Sequence, residues 1–467
     1  MRRDPRMLRN CKMLRAWRTK RGEMRSDCEP ARLVGLPAIG YIDARLRRPA
    51  VPSPSETEDS RVDFLYANLY GLADLSVWGY VVVTLLWMHT TLICVTLYFH
   101  RDQAHRSVDL HPAVRHFCRF WLWMNTGAST REWVAVHRKH HAHCEQPGDP
   151  HSPRLFGLKK VLLEGAELYR VSARDPETVE KYSKGCPNDW LERNVYQHEH
   201  GSYLGIWMLF GIDLVLFGVP GIIMLALQLA NMPFLAAGVI NGLSHAKGYR
   251  NFETDDDSTN LWPLGVLIAG EELHNNHHAF PTSARFSMRR HEVDMGWLHL
   301  KVLEFFGLAK IRRVAPSPDL ARAATSGPDL DALRAIIVNR MHVLRHYTQN
   351  VSLPVLRREV ESFGENANSL LRAARKALTR HPQMLDERSR KRLAELAARH
   401  PRFDTVLQFR NELRNLWEGA HTSNERLLAE FRAWCVRAEQ SKIQRLQEFA
   451  TYLKSFRALR ETAFGIR

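Results

Sequence analysis

The chain has 467 residues, enough for two or three domains, and a formal charge of +16 from 66 Lys and Arg against 50 Asp and Glu. Its seven cysteines include no C-x-x-C pair, which excludes a disulfide scaffold and a thiolate zinc module and suits a reducing compartment. Hydrophobic residues at 45% and charged residues at 25% match a soluble protein on average, but the two classes occupy different parts of the chain.

The N-terminal 50 residues are strongly basic. They contain 14 Arg and Lys against five acidic residues, and they lack the apolar segment and small-residue cleavage site of a secretory signal peptide. We predict a basic, disordered arm over residues 1–60, because runs of like charge are solvated rather than packed. Contact with a membrane surface is a second interpretation. A mitochondrial-type presequence or a mis-assigned start codon would also account for this composition.

Two apolar regions are long enough to cross a membrane. Leu75–Phe99 contains 25 residues without a formal charge, sufficient at 1.5 Å per residue to span a hydrocarbon core of about 30 Å. Leu204–Ile240 contains 37 residues with one charge, Asp213, and would be about 55 Å long as a single helix. A Gly-Val-Pro-Gly sequence at residues 218–221 interrupts this second region, so we predict two shorter spans joined there.

Histidines are concentrated in the sequence that follows these apolar regions. The motifs are H-x4-H at His100 and His105, H-x2-H-H at His137, His140 and His141, and a second H-x2-H-H at His274, His277 and His278. Residues three and four apart share one face of a helix, and neutral imidazole binds iron, copper and zinc. Eight imidazoles exceed the four ligands of a structural zinc ion, so the motifs predict a two-metal centre rather than histidines satisfied in a core.

The H-x4-H motif has a different spacing from the other two. Residues five apart lie about 140° apart around an α-helix, so this pair requires either a helix that ends there or two different metals. Glu271 and His274 form a Glu-x-x-His sequence, but a carboxylate-bridged di-iron bundle needs two such motifs and two further Glu. We do not expect that kind of site in this chain.

The three motifs can form one site only if they emerge on one face of the membrane. That requires no crossing between the first and second motifs and an even number between the second and third. The lengths of the apolar segments give none and two. Basic residues crowd this side, so the positive-inside rule predicts that it is cytoplasmic.

The sequences around the motifs resemble the integral-membrane fatty-acid desaturases of the stearoyl-CoA, or acyl-CoA delta-9, type. The resemblance covers residues 70–315 and extends to the order, spacing and neighbours of the motifs. It is carried by Phe99–Arg106, Trp133–Ala142, Asp149–His151, Asn241–Arg250 and Gly270–Pro281. It implies an all-α integral membrane protein, whose transmembrane helices carry a cytoplasmic helical cap with a His-rich di-iron site.

Three features distinguish the chain from the animal enzymes of this family. They are a single convincing span before the first motif, the acidic loop Glu253–Asp257 and a long C-terminal extension. Together they indicate a bacterial branch.

The resemblance implies nine direct metal ligands and a further residue, Asn241, that approaches a metal through water. The direct ligands are His100, His105, His137, His140, His141, His245, His274, His277 and His278. Asp149 and His151 are candidates to orient the ligand imidazoles. The side chains of Arg154, Lys159 and Lys160 are weaker candidates for contact with substrate phosphates, because basic residues near a membrane are more often interfacial anchors.

The same resemblance implies two iron ions as cofactors and O2 as co-substrate. The expected reaction introduces a cis double bond, at the delta-9 position by analogy, into a saturated fatty acyl chain carried by CoA or phospholipid. Two electrons come from a separate donor, such as a ferredoxin or a cytochrome b5-like protein, because the chain has no His-Pro-Gly-Gly haem motif. The expected location is the bacterial inner membrane, with the active site on the cytoplasmic side.

Composition changes near Pro316, where apolar runs give way to Leu, Ala, Arg and Glu at helical spacing. We predict a desaturase domain over residues 61–315 and a cytoplasmic helical region over residues 316–467 with an interaction or stabilising role. Acidic residues interleave with its arginines, so we do not expect it to bind nucleic acid. No implied ligand lies beyond His278, so ligand positions alone predict that a chain lacking residues 331–467 keeps its metals.

Two other functions stay open. A membrane hydroxylase or alkane monooxygenase would use the same His arrangement, but it adds one oxygen to its substrate whereas a desaturase removes two hydrogens. A His-rich metal carrier would place its ligands along a path through the membrane, whereas these motifs are predicted on one face.

Overall fold

A computed structural model describes the chain from residue 69, with short gaps. The described residues are 69–197, 201–321, 328–363, 367–418 and 423–457. The predicted N-terminal arm, residues 1–60, lies outside them. The described part is mostly helical, in agreement with the all-α prediction, and its strands form two small two-stranded ladders.

The helices before the C-terminal region fall into long apolar ones and shorter ones around them. They are α1 (Val77–Cys94), α2 (Pro112–Thr126), α3 (Thr130–His143), α4 (Pro153–Phe156), α5 (Leu158–Ala173), α6 (Pro176–Tyr182), α7 (Gly201–Asn231), α8 (His274–Ala279) and α9 (Met295–Phe305). Two π-helical segments, Val95–Ala104 and Met232–Ile240, extend α1 and α7 without a break. The strands are β1 (Val108–Leu110), β2 (Leu264–Gly265), β3 (Val293–Asp294) and β4 (Ala309–Ile311).

Two helical stretches are long and apolar enough to cross a membrane, Val77–Ala104 and Tyr203–His245. The first begins where the Ser76 hydroxyl accepts a hydrogen bond from the backbone N–H of Gly79, at 3.2 Å. The helix itself carries apolar residues on every face, as is typical of a helix in an apolar medium. Length and composition therefore indicate an association with the membrane.

The second apolar stretch is folded back on itself. Gly218 has φ 62° and ψ −137°, which are not helical values. Gln228 Nε2 lies 3.5 Å from Asp213 Oδ1, although 15 residues of straight helix would separate the two by about 22 Å. The stretch is thus a hairpin of two helices, as the interruption at residues 218–221 predicts.

The tip of this hairpin contacts the segment before α1. The backbone N–H groups of Leu72 and Ala73 donate to the carbonyl oxygens of Val215, at 3.0 Å, and Leu216, at 2.8 Å. Helix α1 and the two helices of the hairpin therefore meet at this end of the bundle. Their other ends lie together at the opposite end. The first histidine motif and His245 lie at that opposite end.

The shorter helices and strands, which we term the cap, pack against the π-helical ends of the apolar helices. Strand β1 pairs antiparallel with β4, and β2 pairs parallel with β3, so the chain before α2 is joined to the chain after α9. Helix α3 begins with a capping box, in which Ser129 and Glu132 each bind the other's backbone N–H. This capping box fixes the first residue of the helix. It therefore also fixes which residues of the helix face the interior of the cap.

The C-terminal region is a helical assembly with its own apolar core. Its helices are α10 (Leu330–Val338), α11 (Arg340–Tyr347), α12 (Leu353–Ser362), α13 (Ala367–Leu378), α14 (Glu387–Arg399), α15 (Pro401–Glu418), α16 (Asn424–Gln440) and α17 (Gln444–Lys454). Buried aromatic side chains such as Tyr347, Phe403, Phe431 and Trp434 form its centre. The helical periodicity seen in the sequence therefore corresponds to apolar faces that pack on one another.

The hairpin predicts opposite effects for two glycines of α7. A Cβ at Gly218 would lie 2.1 Å from the carbonyl oxygen of Leu69, and φ is positive, whereas a Cβ at Gly211 would meet no atom within 4 Å. We expect Gly218→Ala to destabilise the protein by about 1–3 kcal/mol. Gly211→Ala should leave stability unchanged or slightly raised. Thermal unfolding midpoints in detergent measure both, and equal midpoints would contradict the hairpin geometry.

Candidate metal centre

Five histidines from three separate segments form the first of two imidazole groups. Group one consists of His100, His105, His137, His141 and His277, whose nearest ring nitrogens all lie within 4.8 Å of one another. The Nε2 atom of His277 lies 3.0 Å from that of His100 and 3.0 Å from that of His141. His105 and His137 make a similar Nε2 contact of 2.9 Å.

A π-helix explains the H-x4-H spacing. Residues Val95–Ala104 form π-helical turns, in which backbone bonds join residues five apart, and the N–H of His105 donates to the carbonyl of His100 at 3.0 Å. This geometry stacks the two residues on one face, with ring centroids 5.0 Å apart. The helix also ends there, as one of the two sequence alternatives requires, and both rings belong to one group.

Four histidines form group two. They are His140, His245, His274 and His278. The Nε2 atom of His274 lies 2.9 Å from that of His245 and 3.1 Å from that of His278. Cys144 adds a thiol to this group, with its Sγ 3.7 Å from His140 Nε2.

Helices α3 and α8 each supply both groups. On α3, the residues four apart, His137 and His141, face group one, while His140 faces group two. On α8 the division is reversed, since His277 faces group one while His274 and His278 face group two. Each H-x2-H-H motif therefore bridges the two groups, which holds them side by side.

Carboxylates bind the outer nitrogen of four of the nine rings. The Nδ1 pairs are His100 with Glu271 at 2.7 Å, His140 with Asp149 at 3.0 Å, His245 with Glu145 at 2.7 Å, and His278 with Asp256 at 2.8 Å. A carboxylate only accepts hydrogen bonds, so each Nδ1 carries the proton and each Nε2 presents a lone pair. This is the usual way in which proteins fix the tautomer of a metal-binding histidine.

These lone pairs converge where no hydrogen bond can satisfy all of them. In group two, His274 Nε2 faces both His245 and His278, and their tautomers leave lone pairs on both facing atoms. One proton on His274 could serve only one of them. Two nitrogens at right angles around one metal ion, each about 2.1 Å from it, are about 3.0 Å apart, which matches the observed separations. The donor set therefore fits a cation in each group.

Charge and burial keep the site in its metal-binding form. Burial lowers the pKa of His105, His137 and His141 well below the ordinary value, and the neighbouring imidazoles lower it further. These three rings are thus neutral, as metal binding requires. Burial raises the pKa of the Asp256 carboxyl, but His278 and Arg250 outweigh it and hold that pKa well below its usual range.

The structure brings together all nine histidines expected as ligands. Asn241 lines a cavity beside them, together with the rings of His100, His137, His140 and His274. The remaining walls of this cavity are mainly apolar, from Leu92, Val95, Trp133, Val136, Ala236, Ile240 and Ile268.

The other predicted site residues are two beside His140 and three basic residues on α4 and α5. Asp149 contacts His140 as expected, and His151 is buried with its ring stacked on that of His140 at 4.5 Å. Arg154 lies 3.5 Å from Asp257, whereas Lys159 and Lys160 are exposed on α5. His143, which the helical spacing turns away from the site, contacts the hydroxyl of Tyr182 at 2.9 Å.

Four residues of the site have no role in the sequence prediction. They are Cys144, Glu145, Asp256 and Glu271. Three of them are acidic and lie within four residues of a histidine motif or in the acidic loop, which is the available sequence signal. The spacing does not reveal their partners, because Glu145 and His245 are 100 residues apart.

Two family models match different parts of the chain. A fatty acid desaturase model matches residues 75–301, which contain every histidine of both groups. A transposase model matches residues 332–464, in the C-terminal helices.

Individual relatives match the same part of the chain as the desaturase model. A probable chloroplastic lipid desaturase of Arabidopsis thaliana is 32% identical over 220 residues, which are 46% of this chain and 59% of that protein. An sn-1 stearoyl-lipid 9-desaturase of Anabaena variabilis is 32% identical over 234 residues, 49% of this chain and 81% of that protein. An acyl-CoA 5-desaturase of Anemone leveillei is 30% identical over 238 residues, 48% of this chain and 70% of that protein.

The contacts between carboxylates and ligand histidines should affect how tightly the protein holds metal. Glu271→Gln should weaken metal binding about 10- to 100-fold, because the carboxylate that orients His100 loses its charge. Glu164→Gln, on the exposed face of α5, is the matched control and should have no effect. The measurement is the metal retained per chain after dialysis against graded chelator. Equal retention by the two variants would show that Glu271 does not support a metal ligand.

Proposed function

The chain belongs to the fatty acid desaturase family, and on that premise we propose that it is a membrane-bound acyl desaturase with a di-iron centre. It uses O2 and two electrons to introduce a cis double bond into a saturated acyl chain, at the delta-9 position as the name of the Anabaena relative states for that enzyme. One observation carries the proposal: two buried imidazole groups share two helices and lie beside a cavity with mainly apolar walls.

Iron suits this donor set. Group one offers five imidazoles, more than a tetrahedral zinc site uses, and imidazole is a good ligand for iron. The nine histidines would hold the two ions, with Asn241 approaching one of them through water. When bound, the irons supply the oxidising power that an unactivated C–H bond requires.

The protein's own residues control where that chemistry occurs. Apolar side chains of α1, α3 and the second π-helical segment hold the acyl chain against the imidazole groups and exclude water from it. The balance of the reaction is simple. Two hydrogens leave adjacent carbons of the chain, and O2 takes them up with two protons and two electrons to form two waters.

The partners follow from this reaction. The substrate is a fatty acyl chain on CoA or phospholipid, and relatives named for each kind of carrier match the chain. Electrons come from a separate protein such as a ferredoxin or a cytochrome b5-like protein. We place the enzyme in a bacterial inner membrane with its metal centre on the cytoplasmic side. Arg154 is the weakest phosphate-binding candidate because Asp257 already pairs with it.

A hydroxylase is the second candidate function, since the same imidazole arrangement would serve it. The identity shared with desaturases along residues 75–301 favours desaturation.

The match of residues 332–464 to a transposase model raises the separate question of whether the C-terminal helices bind nucleic acid. Among the described residues, the groups that could hold a metal all lie between His100 and His278. For the C-terminal helices we propose an interaction or stabilising role, and the transposase match makes nucleic-acid binding the alternative to test.

Product analysis separates the two oxidations. Expression in a desaturase-deficient host should yield acyl chains lacking two hydrogens, with the double bond at the delta-9 position. The measurement is mass spectrometry with positional analysis in separated CoA and phospholipid pools. A product that gains one oxygen and keeps its hydrogens would show that the protein is a hydroxylase rather than a desaturase.

His245 tests the ligand assignment outside the three motifs. We expect His245→Ala to abolish desaturation as completely as His140→Ala, because His245 lies in group two. Asn241→Ala should be milder, since it loses only a contact through water. The control is His143→Ala, which should keep substantial activity because this ring contacts Tyr182 instead. Unsaturated product per unit of membrane-inserted protein is the readout. An active His245→Ala beside an inactive His143→Ala would reverse both assignments.

A further inference from the structure

The acidic loop Glu253–Asp257 connects the metal centre to the C-terminal helices. Its Asp256 points inward, where one carboxylate oxygen contacts His278 Nδ1 at 2.8 Å. The other oxygen accepts hydrogen bonds from the backbone N–H of Ser258 at 2.9 Å and from the hydroxyl of Thr254 at 2.6 Å. The position of the His278 ring therefore depends on the conformation of this loop.

The first acid of the loop points the opposite way. Glu253 is buried and forms ion pairs with two arginines of α15, Arg410 and Arg414, the latter with 2.9 Å between Nη2 and Oε1. Arg410 is itself buried and also donates to the carbonyl of Leu378 at 2.7 Å. A buried carboxylate needs such a partner, because its desolvation is otherwise uncompensated.

The rest of the loop is tied to the same region. Asp257 pairs with Arg380, which follows α13. Arg250 donates through Nε to the carbonyl of Thr379 at 2.8 Å, and through Nη1 to the carbonyl of Asp256 at 2.9 Å. One guanidinium thus joins the backbone of the C-terminal region directly to the residue that contacts His278.

Aromatic packing forms a second connection. The ring of His342, on α11, lies between Phe252 and Phe280, with centroid distances of 5.2 and 5.0 Å. Phe280 follows His278 by two residues, and Phe252 precedes the acidic loop. The C-terminal helices therefore contact both ends of the segment that orients this ligand.

We propose that Arg410 and Arg414 are positioning residues for the metal centre. Through Glu253 they hold the acidic loop so that Asp256 fixes the tautomer and direction of His278. The C-terminal region is then a part of the metal site. This proposal rests on the proposed function in one respect, which is that the metal is iron.

This proposal differs from the expectation based on ligand positions. Those positions predict that a chain lacking residues 331–467 keeps its metals, because no ligand lies beyond His278. The buried ion pairs argue the opposite, since removal of α15 would leave Glu253 without either cation.

The test uses the full chain with Arg410→Met, which removes the cation and keeps an apolar side chain. We expect group two to release its metal at least ten-fold faster into chelator, so that metal content falls from two to one per chain while group one stays loaded. The control is Arg437→Gln, on α16, which breaks a half-exposed ion pair with Glu412 and should keep both metals. The double variant Glu253→Gln/Arg410→Met also removes the carboxylate that Arg410→Met leaves with Arg414 alone, and it should restore part of the metal retention.

The possible outcomes separate a positioning role from a general loss of stability. Loss of both metals together with a lowered unfolding midpoint would overturn the proposal, as would equal release rates in Arg410→Met and Arg437→Gln. If Arg410→Met does not fold, Arg380→Gln perturbs the less buried pair with Asp257 and should give a smaller increase in the same release rate. A wild-type chain loaded with zinc would contradict the proposed function, yet its zinc release rates would still test the role of Arg410.

Discussion

The central constraint on this protein is the convergence of nine imidazoles whose ring nitrogens face one another inside a buried space. Four of them donate Nδ1–H to carboxylates, so their Nε2 atoms present lone pairs that other imidazole nitrogens cannot all satisfy. A cation in each group removes this conflict, and metal binding is then part of what stabilises the cap. The surrounding structure follows from the same need. A π-helix aligns two ligands, two short helices each supply both groups, and a hairpin returns His245 to the end of the bundle where the first motif lies.

The buried carboxylates extend this constraint outward. Glu145, Asp149 and Glu271 contact ligand rings from within the cap, but Asp256 belongs to a loop whose neighbouring acids pair with the C-terminal helices. A charge buried in this way is tolerated only with its partner in place, so the pairs make the arrangement of distant segments interdependent. This accounts for how a region without any implied ligand is physically connected to the metal centre.

Much of this organisation could be predicted from local sequence. The apolar stretches, the break at residues 218–221 and the H-x2-H-H motifs follow from periodicity and composition, because each depends on neighbours a few residues apart. The π-helical solution to the H-x4-H spacing could not be predicted, since a π-helix forms only where tertiary contacts outweigh the α-helical bond pattern. The partners of His245 and His278 were equally inaccessible. Spacing identifies which residues share a helix face, but it does not specify which carboxylate, 100 residues away for Glu145 and His245, will approach from another segment.

The central claim is that the two imidazole groups hold two irons, and the most direct measurement is metal analysis with Mössbauer spectroscopy on full-length protein grown with iron-57. We predict about two irons per chain in two different environments, because group one offers five imidazoles and group two offers four. One zinc per chain without iron would contradict it.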